Sequence, residues 1–265
     1  MWNPMSARSA GVFAARAFVP LAVLLAGPIL ADGGGPVSSS PEARVERPSY
    51  DVARTRAPIQ VDGRLDDPAW QAAEPFAFFK NADGSPPPAA LATTAKALYD
   101  DTFIYFAFDS ADTNAWSTRD RRDDHLWEEE VVEVFIQADP THPSYIELEV
   151  NPLGAMIDIF LIDVRKPIPY ASWNSAGLRW AVHVDGTVDG RPGDRGWSCE
   201  MALPLEDVVT APHIPPRPGD RWRANLYRVE RRPERANLAW SPTLVGDFHR
   251  PDRFGDLVFR DRLVP

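Results

Sequence analysis

The chain has 265 residues and a formal net charge of −10, and its length is ample for one large hydrophobic core. The negative charge makes nucleic acids and anionic membrane surfaces poor partners. Its one cysteine, Cys199, cannot form an internal disulfide, so the fold must be stabilised by its core or by a bound metal.

Residues 1–31 have the composition of an export signal. Arg8 and Arg16 give a positive start, residues 17–25 are apolar apart from one proline, and a small residue, Ala31, stands at the expected cleavage point. This pattern predicts a secretory signal peptide and therefore a secreted or periplasmic protein. The apolar run is short for a membrane span, so no span is expected after the signal is removed.

Residues 32–55 are rich in Gly, Ser, Pro and charged residues and show no sustained hydrophobic period. Such a composition is typical of a flexible linker. The rest of the chain, residues 56–263, shows no internal repeat and is predicted to form one domain.

The domain is predicted to open with a strand, a tight turn and a short helix over residues 58–70. Asp62 and Gly63 suit a turn that needs a positive φ angle. Pro68 fits the first helical position, where no amide hydrogen is needed, and either of the two aspartates before it can cap the helix. A tryptophan at the end of this segment is expected to bury its ring.

Most later segments alternate between apolar and polar residues with a period of two, which is typical of strands. These segments are residues 95–99, 102–108, 131–136, 145–151, 155–163, 178–184, 197–203, 222–226 and 256–260. Long helical patterns are scarce, and the chain contains 27 prolines. The sequence therefore predicts an all-β fold, an antiparallel β-sandwich of two sheets with very little helix.

Several of these segments together resemble the carbohydrate-binding module family 9-like domains, and their order covers nearly all of residues 56–260. The opening segment resembles the family's IDGxLDxxAW motif, and four later ones resemble its YDDxxLY hairpin, its DxVEVF strand, its GWxxExxIP segment and its C-terminal tail. In this chain they are residues 59–70, 98–105, 130–135, 196–204 and 225–255. The resemblance implies a sandwich that binds a saccharide or polysaccharide, with calcium as a structural ion in some members.

The tryptophans of the domain fall into two groups by pattern. Trp70, Trp180, Trp197 and Trp222 occupy inward positions of regular elements and are expected in the core. Four others lie in polar loops, where binding residues concentrate on a sandwich scaffold. Each of these four is a candidate either for stacking on a sugar ring or for anchoring a loop, namely Trp116, Trp127, Trp173 and Trp240.

Polar candidates for sugar hydroxyls lie near these tryptophans or on alternate positions of strands. They are Arg119, Glu149, Asn151, Asp158, Asn174, Arg228, Glu230 and His249. We expect Arg228, Glu149 and Asn151 to supply hydrogen bonds in a cleft walled by Trp173 and Trp240. The alternatives are a solvated sheet face and, for Arg228, a buried structural ion pair.

Two further interpretations concern metal and catalysis. Residues 120–130 contain six acidic side chains that suit calcium, although interleaved arginines also fit a solvated loop. Glu147, Glu149 and Asp158 are candidates for the paired carboxylates of a glycoside-cleaving enzyme. Haem binding, with Met156, Met201 or His249 as axial ligands, and an exported protein-interaction module are the remaining alternatives. No nucleophile, phosphate-binding or metalloprotease motif is present.

Overall fold

The computed structural model describes residues 47–77, 79–168 and 172–265. The predicted signal peptide and residues 32–46 of the predicted linker lie outside these described residues. Within the described ranges the fold is nearly all β, which confirms the predicted class. No helix in these ranges has the length and apolar character needed to cross a membrane.

The regular elements follow one another in a simple chain order. The strands and the α-helix are β1 (Ser49–Thr55), α1 (Pro68–Ala72), β2 (Lys80–Asn81), β3 (Thr93–Tyr99), β4 (Phe103–Ala111), β5 (Val131–Gln137), β6 (Tyr145–Val150), β7 (Met156–Asp163), β8 (Lys166–Pro167), β9 (Arg179–Asp185), β10 (Gly196–Pro204), β11 (Arg221–Glu230), β12 (Ala236–Ala239) and β13 (Gly255–Val264). Short 3-10 turns lie at Ala89–Leu91, Leu126–Glu128, Leu205–Asp207 and Pro251–Arg253.

The strands form one continuous hydrogen-bonded path rather than two separate sheets. Its order is β8-β7-β6-β5-β11-β13-β1-β3-β4-β10-β9, with β12 paired to β11 and β2 paired to β12. The sheet is mixed rather than antiparallel at one strand, because β1 runs parallel to both β13 and β3. The other described pairs are antiparallel.

Both halves of this path bury side chains in one shared core. Alternate residues of β3, β4 and β10 come from one half, and alternate residues of β5, β6 and β11 come from the other. Trp197 and Trp222 lie in this core as the sequence predicts, whereas Trp180 packs against it only half-buried. Since each inner face needs apolar side chains at every second position, the period of two follows from the packing.

The domain begins earlier than residue 56. Residues 49–55, assigned by sequence to the flexible linker, form β1. Tyr50 and Val52 are buried, and the Tyr50 hydroxyl accepts a hydrogen bond from the Ala97 amide at 3.1 Å. The segment is short and carries few apolar residues, so its strand character depends on distant neighbours that a local pattern does not show.

The opening motif is joined to β10 by one buried carboxylate. Oε2 of Glu200 accepts hydrogen bonds from the amides of Asp62 (2.9 Å) and Gly63 (2.8 Å), and Oε1 accepts one from the Trp70 indole (2.7 Å). Glu200 is 1% exposed. A single side chain thus fixes the turn, the start of α1 and the orientation of the tryptophan ring against the sheet.

The turn itself requires glycine. Gly63 has φ +86°, and a Cβ atom there would lie 2.5 Å from the carbonyl carbon of Val182. Asp67 occupies the N-cap position of α1, as predicted, but its side chain does not cap the helix. It accepts a hydrogen bond from the Gln60 amide at 3.2 Å instead, so the aspartate serves the turn rather than the helix.

Removal of the Glu200 carboxylate should destabilise the whole domain. We expect Glu200→Ala to lower the free energy of unfolding by roughly 3 kcal/mol, because three buried donors lose their acceptor. Glu200→Gln keeps one acceptor oxygen and should lose about half as much. Denaturant unfolding monitored by circular dichroism measures this, with exposed Glu206→Ala as a control that changes stability by less than about 0.5 kcal/mol. Equal stability of all three variants would contradict the role given to Glu200.

Candidate functional site

A cavity of about 460 Å³ lies on the face of β5, β6 and β7 that points away from the shared core. Its size falls within the usual range for small-molecule sites. It is lined by Trp127, Glu133, Phe135, Glu147, Glu149, Ile159, Leu161, Arg165, Pro167, Val229, Arg231, Asn237, Gly246, Asp247, Phe248 and His249. The lining combines aromatic rings with carboxylates, an amide and guanidinium groups.

Three glutamates form the floor of this cavity, and the strand register brings them together. Glu133 of β5 lies directly opposite Glu149 of β6, and Glu147 follows on the same face two residues away. They are 2%, 0% and 5% exposed, respectively. One carboxylate oxygen from each lies within 4.8 Å of the other two.

These carboxylates lack the donors that buried charges normally have. Both oxygens of Glu149, Oε1 of Glu133 and Oε2 of Glu147 have no hydrogen-bond partner within the described part of the chain. Burial raises the pKa of Glu147 to about 7. Burial and the neighbouring carboxylates raise the pKa of Glu133 and of Glu149 well above the usual range, although the Arg231 guanidinium lowers the pKa of Glu133 and the Trp127 backbone lowers that of Glu149. The cluster therefore favours protons or a cation.

Two aromatic side chains stand at the cavity walls. Phe248 is half-buried and stacks on Tyr227 with ring centres 4.0 Å apart and planes 8° apart. Trp127, also half-buried, stacks on His125 at 4.6 Å. A ring that is held on one side by another ring keeps a fixed orientation, which suits it for contact with a flat apolar ligand surface.

Polar groups surround these rings. Arg231 donates to the Asn237 amide oxygen at 2.8 Å and to the Trp127 carbonyl at 3.2 Å. His249 Nδ1 lies 2.8 Å from the Tyr145 hydroxyl, and burial lowers the pKa of this imidazole, which favours its neutral form. The rim is therefore pre-organised by hydrogen bonds before any ligand arrives.

An ion pair closes one side of the mouth. Arg165, at the β7–β8 turn, pairs with Asp247, which lies on the loop that precedes His249. Arg165 adopts φ +56°, a left-handed conformation that is uncommon outside glycine. The pair joins two segments that are far apart in sequence.

Of the predicted binding residues, the structure brings Trp127, Glu149 and His249 together in this cavity. The predicted cleft of Arg228, Glu149 and Asn151 between Trp173 and Trp240 is not formed. The alternation of side chains along β11 places Arg228 on the face that looks into the shared core, opposite to the cavity face.

Arg228 and Glu230 form a buried ionic cluster with Asp112 and Glu130. The Arg228 guanidinium is 2.9 Å from Asp112, 3.2 Å from Glu230 and 3.9 Å from Glu130, and it also donates to the Ala111 carbonyl at 2.8 Å. All four side chains are nearly or fully buried. The alternative interpretation of Arg228 as a structural ion pair thus describes the observed geometry.

Asp158 and Asn151 also have structural partners. Asp158 lies opposite Leu148 and faces the shared core, where it pairs with Arg122 at 2.6 Å. The Asn151 amide donates to the Arg119 carbonyl at 2.7 Å and accepts from the Ala155 amide at 2.9 Å. Both side chains hold loops onto the sheet.

The other tryptophans lie outside the cavity lining. Trp116 is 8% exposed, with the Arg232 guanidinium carbon 4.0 Å from its ring centre. Trp240 is 3% exposed and packs edge-on to Phe76 in the core. Trp173 is half-buried against Phe160. Their positions are those of core residues and loop anchors.

Asn174 accepts a hydrogen bond from Arg122 at 2.8 Å and is exposed. Like Trp173, it is not part of the cavity lining. The aromatic and amide pair that the sequence suggests as a sugar contact therefore lies away from the glutamate floor.

The acidic loop does not gather its carboxylates around a common point. Arg119 pairs with Asp124 at 2.6 Å and also with Glu128. Glu129 accepts from Ser117 and from the Thr118 backbone, and Glu130 accepts from the Trp197 indole at 2.6 Å. These side chains are paired within the protein, so the loop fits the alternative of an arginine-paired acidic loop better than a calcium site.

The main cavity residues that the predicted site omitted are Glu133, Arg231, Asn237 and Phe248. Glu133 carries a usable signal, since it is the one charge within the apolar strand 131–136. Glu147 lies two residues before Glu149, so the same strand pattern predicts that both side chains lie on one face of the sheet. Asn237 lies on β12, and Phe248 lies on the loop that follows it. Both reach the cavity because β12 pairs with β11, and no local sequence pattern predicts that pairing.

The sequence profile described as carbohydrate-binding family 9 matches residues 89–259. A relative from Arthroderma benhamiae described as an extracellular protein is 24% identical over 182 residues, which cover 63% of this chain and 78% of the relative.

Solved structures share the fold. A protein from Bacteroides uniformis that is assigned a carbohydrate-binding role superposes with a TM-score of 0.66 at 18% identity, covering 81% of this chain and 100% of its own. A family 9 carbohydrate-binding module from Caldicellulosiruptor kristjanssonii in complex with cellotriose gives 0.56 at 13% identity, covering 80% and 95%. The same source's module with glucose gives 0.55 at 15% identity, covering 80% and 97%.

The structural role of Arg228 is testable by its removal. We expect Arg228→Met to lower the free energy of unfolding by about 3–5 kcal/mol, because buried carboxylates lose their cation. Arg221→Met is the matched control on the same strand, since this exposed arginine lies 3.7 Å from Asp256 and should matter by less than about 1 kcal/mol. Denaturant unfolding gives both values. A fully stable Arg228→Met variant would contradict the structural role.

Proposed function

The chain belongs to carbohydrate-binding family 9, and we propose that it is an exported protein that binds a saccharide without cleaving it. The proposed binding site is the cavity on the outer face of β5, β6 and β7. The observation that carries this proposal is the combination, in one cavity, of two supported aromatic rings with carboxylates, an amide and a guanidinium group.

This combination matches the two sides of a sugar ring. Pyranose C–H faces pack on aromatic rings, here Phe248 and Trp127, while the hydroxyls need donors and acceptors around the edge. Arg231 supplies donors, Asp247 supplies acceptors and Asn237 supplies both. Because these groups are already positioned by protein contacts, little side-chain entropy is lost on binding.

The structural neighbours suggest which sugars to try first. Modules of the same family are seen with cellotriose and with glucose. We therefore propose a neutral hexose or a short chain of hexoses as the first probe for this cavity.

Glycoside cleavage is the second candidate, favoured by the three glutamates. A hydrolase needs two carboxyl groups that flank the scissile bond. Glu133, Glu147 and Glu149 instead lie together on one side, in the cavity floor, and are nearly inaccessible to solvent. This arrangement supports recognition over catalysis. Release of reducing sugar that is lost in Glu149→Gln would reverse that preference.

Export is supported by the pattern of residues 1–31 and by the relative described as extracellular. We propose that this segment is a signal peptide and that residues 32–48 link it to a domain that starts with β1.

The cavity walls should determine saccharide affinity. We expect Phe248→Ala and Trp127→Ala each to weaken cellotriose binding at least tenfold, about 1.4 kcal/mol, because each removes a stacking face. Calorimetric titration of the purified protein measures this, after a glycan array has confirmed or replaced the probe. The control is Trp173→Ala, which alters a tryptophan outside the cavity and should change affinity less than twofold.

Loss of binding in Trp173→Ala with normal binding in both wall variants would place the sugar site elsewhere. Absence of binding to any glycan on the array would argue against the function itself and favour the interaction-module alternative.

Processing of the N-terminus is a separate prediction. Mass spectrometry of protein collected from the periplasm or medium should find a chain that starts near Asp32, because a signal peptide is removed on export. Exported protein that still begins at Met1 would contradict the predicted signal peptide.

A further inference from the structure

The two aromatic walls of the cavity are supported in different ways. Phe248 stacks on Tyr227, a fully buried ring whose hydroxyl also donates to the Phe248 carbonyl at 2.9 Å. This wall is therefore fixed from inside the domain. Trp127 stacks instead on His125, whose side chain is 49% exposed. The orientation of the second wall thus depends on a residue at the protein surface.

The backbone of the Trp127 wall is held without the help of His125. Trp127 lies in the 3-10 turn Leu126–Glu128, and the leucine that begins this turn is fully buried. Arg231 also donates to the Trp127 carbonyl at 3.2 Å. These contacts fix the main chain, but the indole can still turn about its two side-chain torsions. The imidazole that covers one face of the indole restricts this rotation.

His125 is itself held in place by the acidic loop. Its amide donates to the Asp124 carboxylate at 2.7 Å, and its Nδ1 lies 3.8 Å from a Glu128 oxygen. Glu128 in turn pairs with Arg119. The imidazole and indole centres are 4.6 Å apart with planes 23° apart, which is the geometry of a stacked aromatic pair. The loop therefore sets the position of the ring that supports the wall.

His125 does not belong to the lining of the cavity, so it reaches a bound sugar only through Trp127. We propose that His125 is a positioning residue for saccharide recognition, which holds the Trp127 indole in the orientation that stacks on the sugar ring. This role rests on the proposed function, because it concerns how one wall of the binding cavity is kept ready. A ring that is already oriented loses little freedom on binding, so removal of its support lowers affinity.

Calorimetric titration with cellotriose tests the proposal. His125→Ala should weaken binding roughly three- to tenfold, because a stacked aromatic pair contributes a free energy of that size. His125→Phe keeps a ring against the indole and should bind within about twofold of the wild type. Unchanged affinity in His125→Ala, or an equal loss in His125→Phe, would overturn the proposal.

The matched control is His142→Ala. His142 is 60% exposed and, like His125, lies beside an acidic residue three positions away, here Asp139. It does not line the cavity, so its removal should change affinity by less than about twofold. Both alanine variants should melt within about 2 °C of the wild type, because both histidines are exposed. A much lower melting temperature in His125→Ala would indicate a general structural role and overturn the proposal.

A double-mutant cycle shows whether His125 acts through Trp127. His125→Ala combined with Trp127→Ala should bind no more weakly than Trp127→Ala alone, because no ring is left to support. Additive losses in the double variant would mean that His125 affects the sugar by another route, and would contradict the positioning role.

A second measurement needs no sugar. Nitrogen-15 relaxation of the Trp127 indole Nε1–H, assigned by its absence in Trp127→Phe, reports the mobility of this ring. Its order parameter should fall in His125→Ala and stay unchanged in His125→Phe and His142→Ala. If the wild type binds no glycan but the order parameter falls, the proposed function fails and the support of the ring stands. If the wild type binds cellotriose and His125→Ala changes neither affinity nor order parameter, the positioning role alone is overturned.

Discussion

The arrangement of this domain depends on how its buried carboxylates are compensated. A carboxylate withdrawn from water needs hydrogen-bond donors or a cation, and the sheet meets that need in different ways. Glu200 collects two backbone amides and an indole, and so ties the opening turn to β10. Glu130 accepts from the Trp197 indole and shares the Arg228 cluster. Sequence motifs that lie far apart in the chain therefore meet through single carboxylates: the opening segment meets β10 at Glu200, and β10 meets the start of β5 at Glu130.

The acidic side chains on the two faces of β5, β6 and β11 have different surroundings. On the inner face, Arg228 neutralises acids that hold β11 to the loop after β4. On the outer face, Glu133, Glu147 and Glu149 line the cavity and keep carboxylate oxygens without a hydrogen-bond partner in the described ranges. The pleat of the same strands thus separates the buried ion pairs from the proposed binding cavity, since neighbouring residues point to opposite sides.

Sequence reasoning predicted what depends on local periodicity. The strands, the positive φ at Gly63 and the buried Trp197 and Trp222 follow from alternation and turn chemistry. The candidate site was harder to predict, because alternation shows which residues share a face of the sheet but not which face is buried in the core. Arg228 and Asp158 were assigned to the ligand side for that reason. The sequence also could not distinguish buried loop tryptophans from those that line the cavity, since their burial depends on contacts with residues far along the chain.

The parallel strand β1 has a consequence for the order of folding. Within the described part of the chain, it is the strand that links β13 to β3, and its partner Asp256 is more than 200 residues from Ser49. The hairpins on either side of it close short loops, whereas this pairing closes nearly the whole domain. Loop closure of that length is paid in chain entropy and slows folding. The sheet is therefore completed only after its last strand has emerged, and until then the edge of β1 that pairs with β13 stays unpaired.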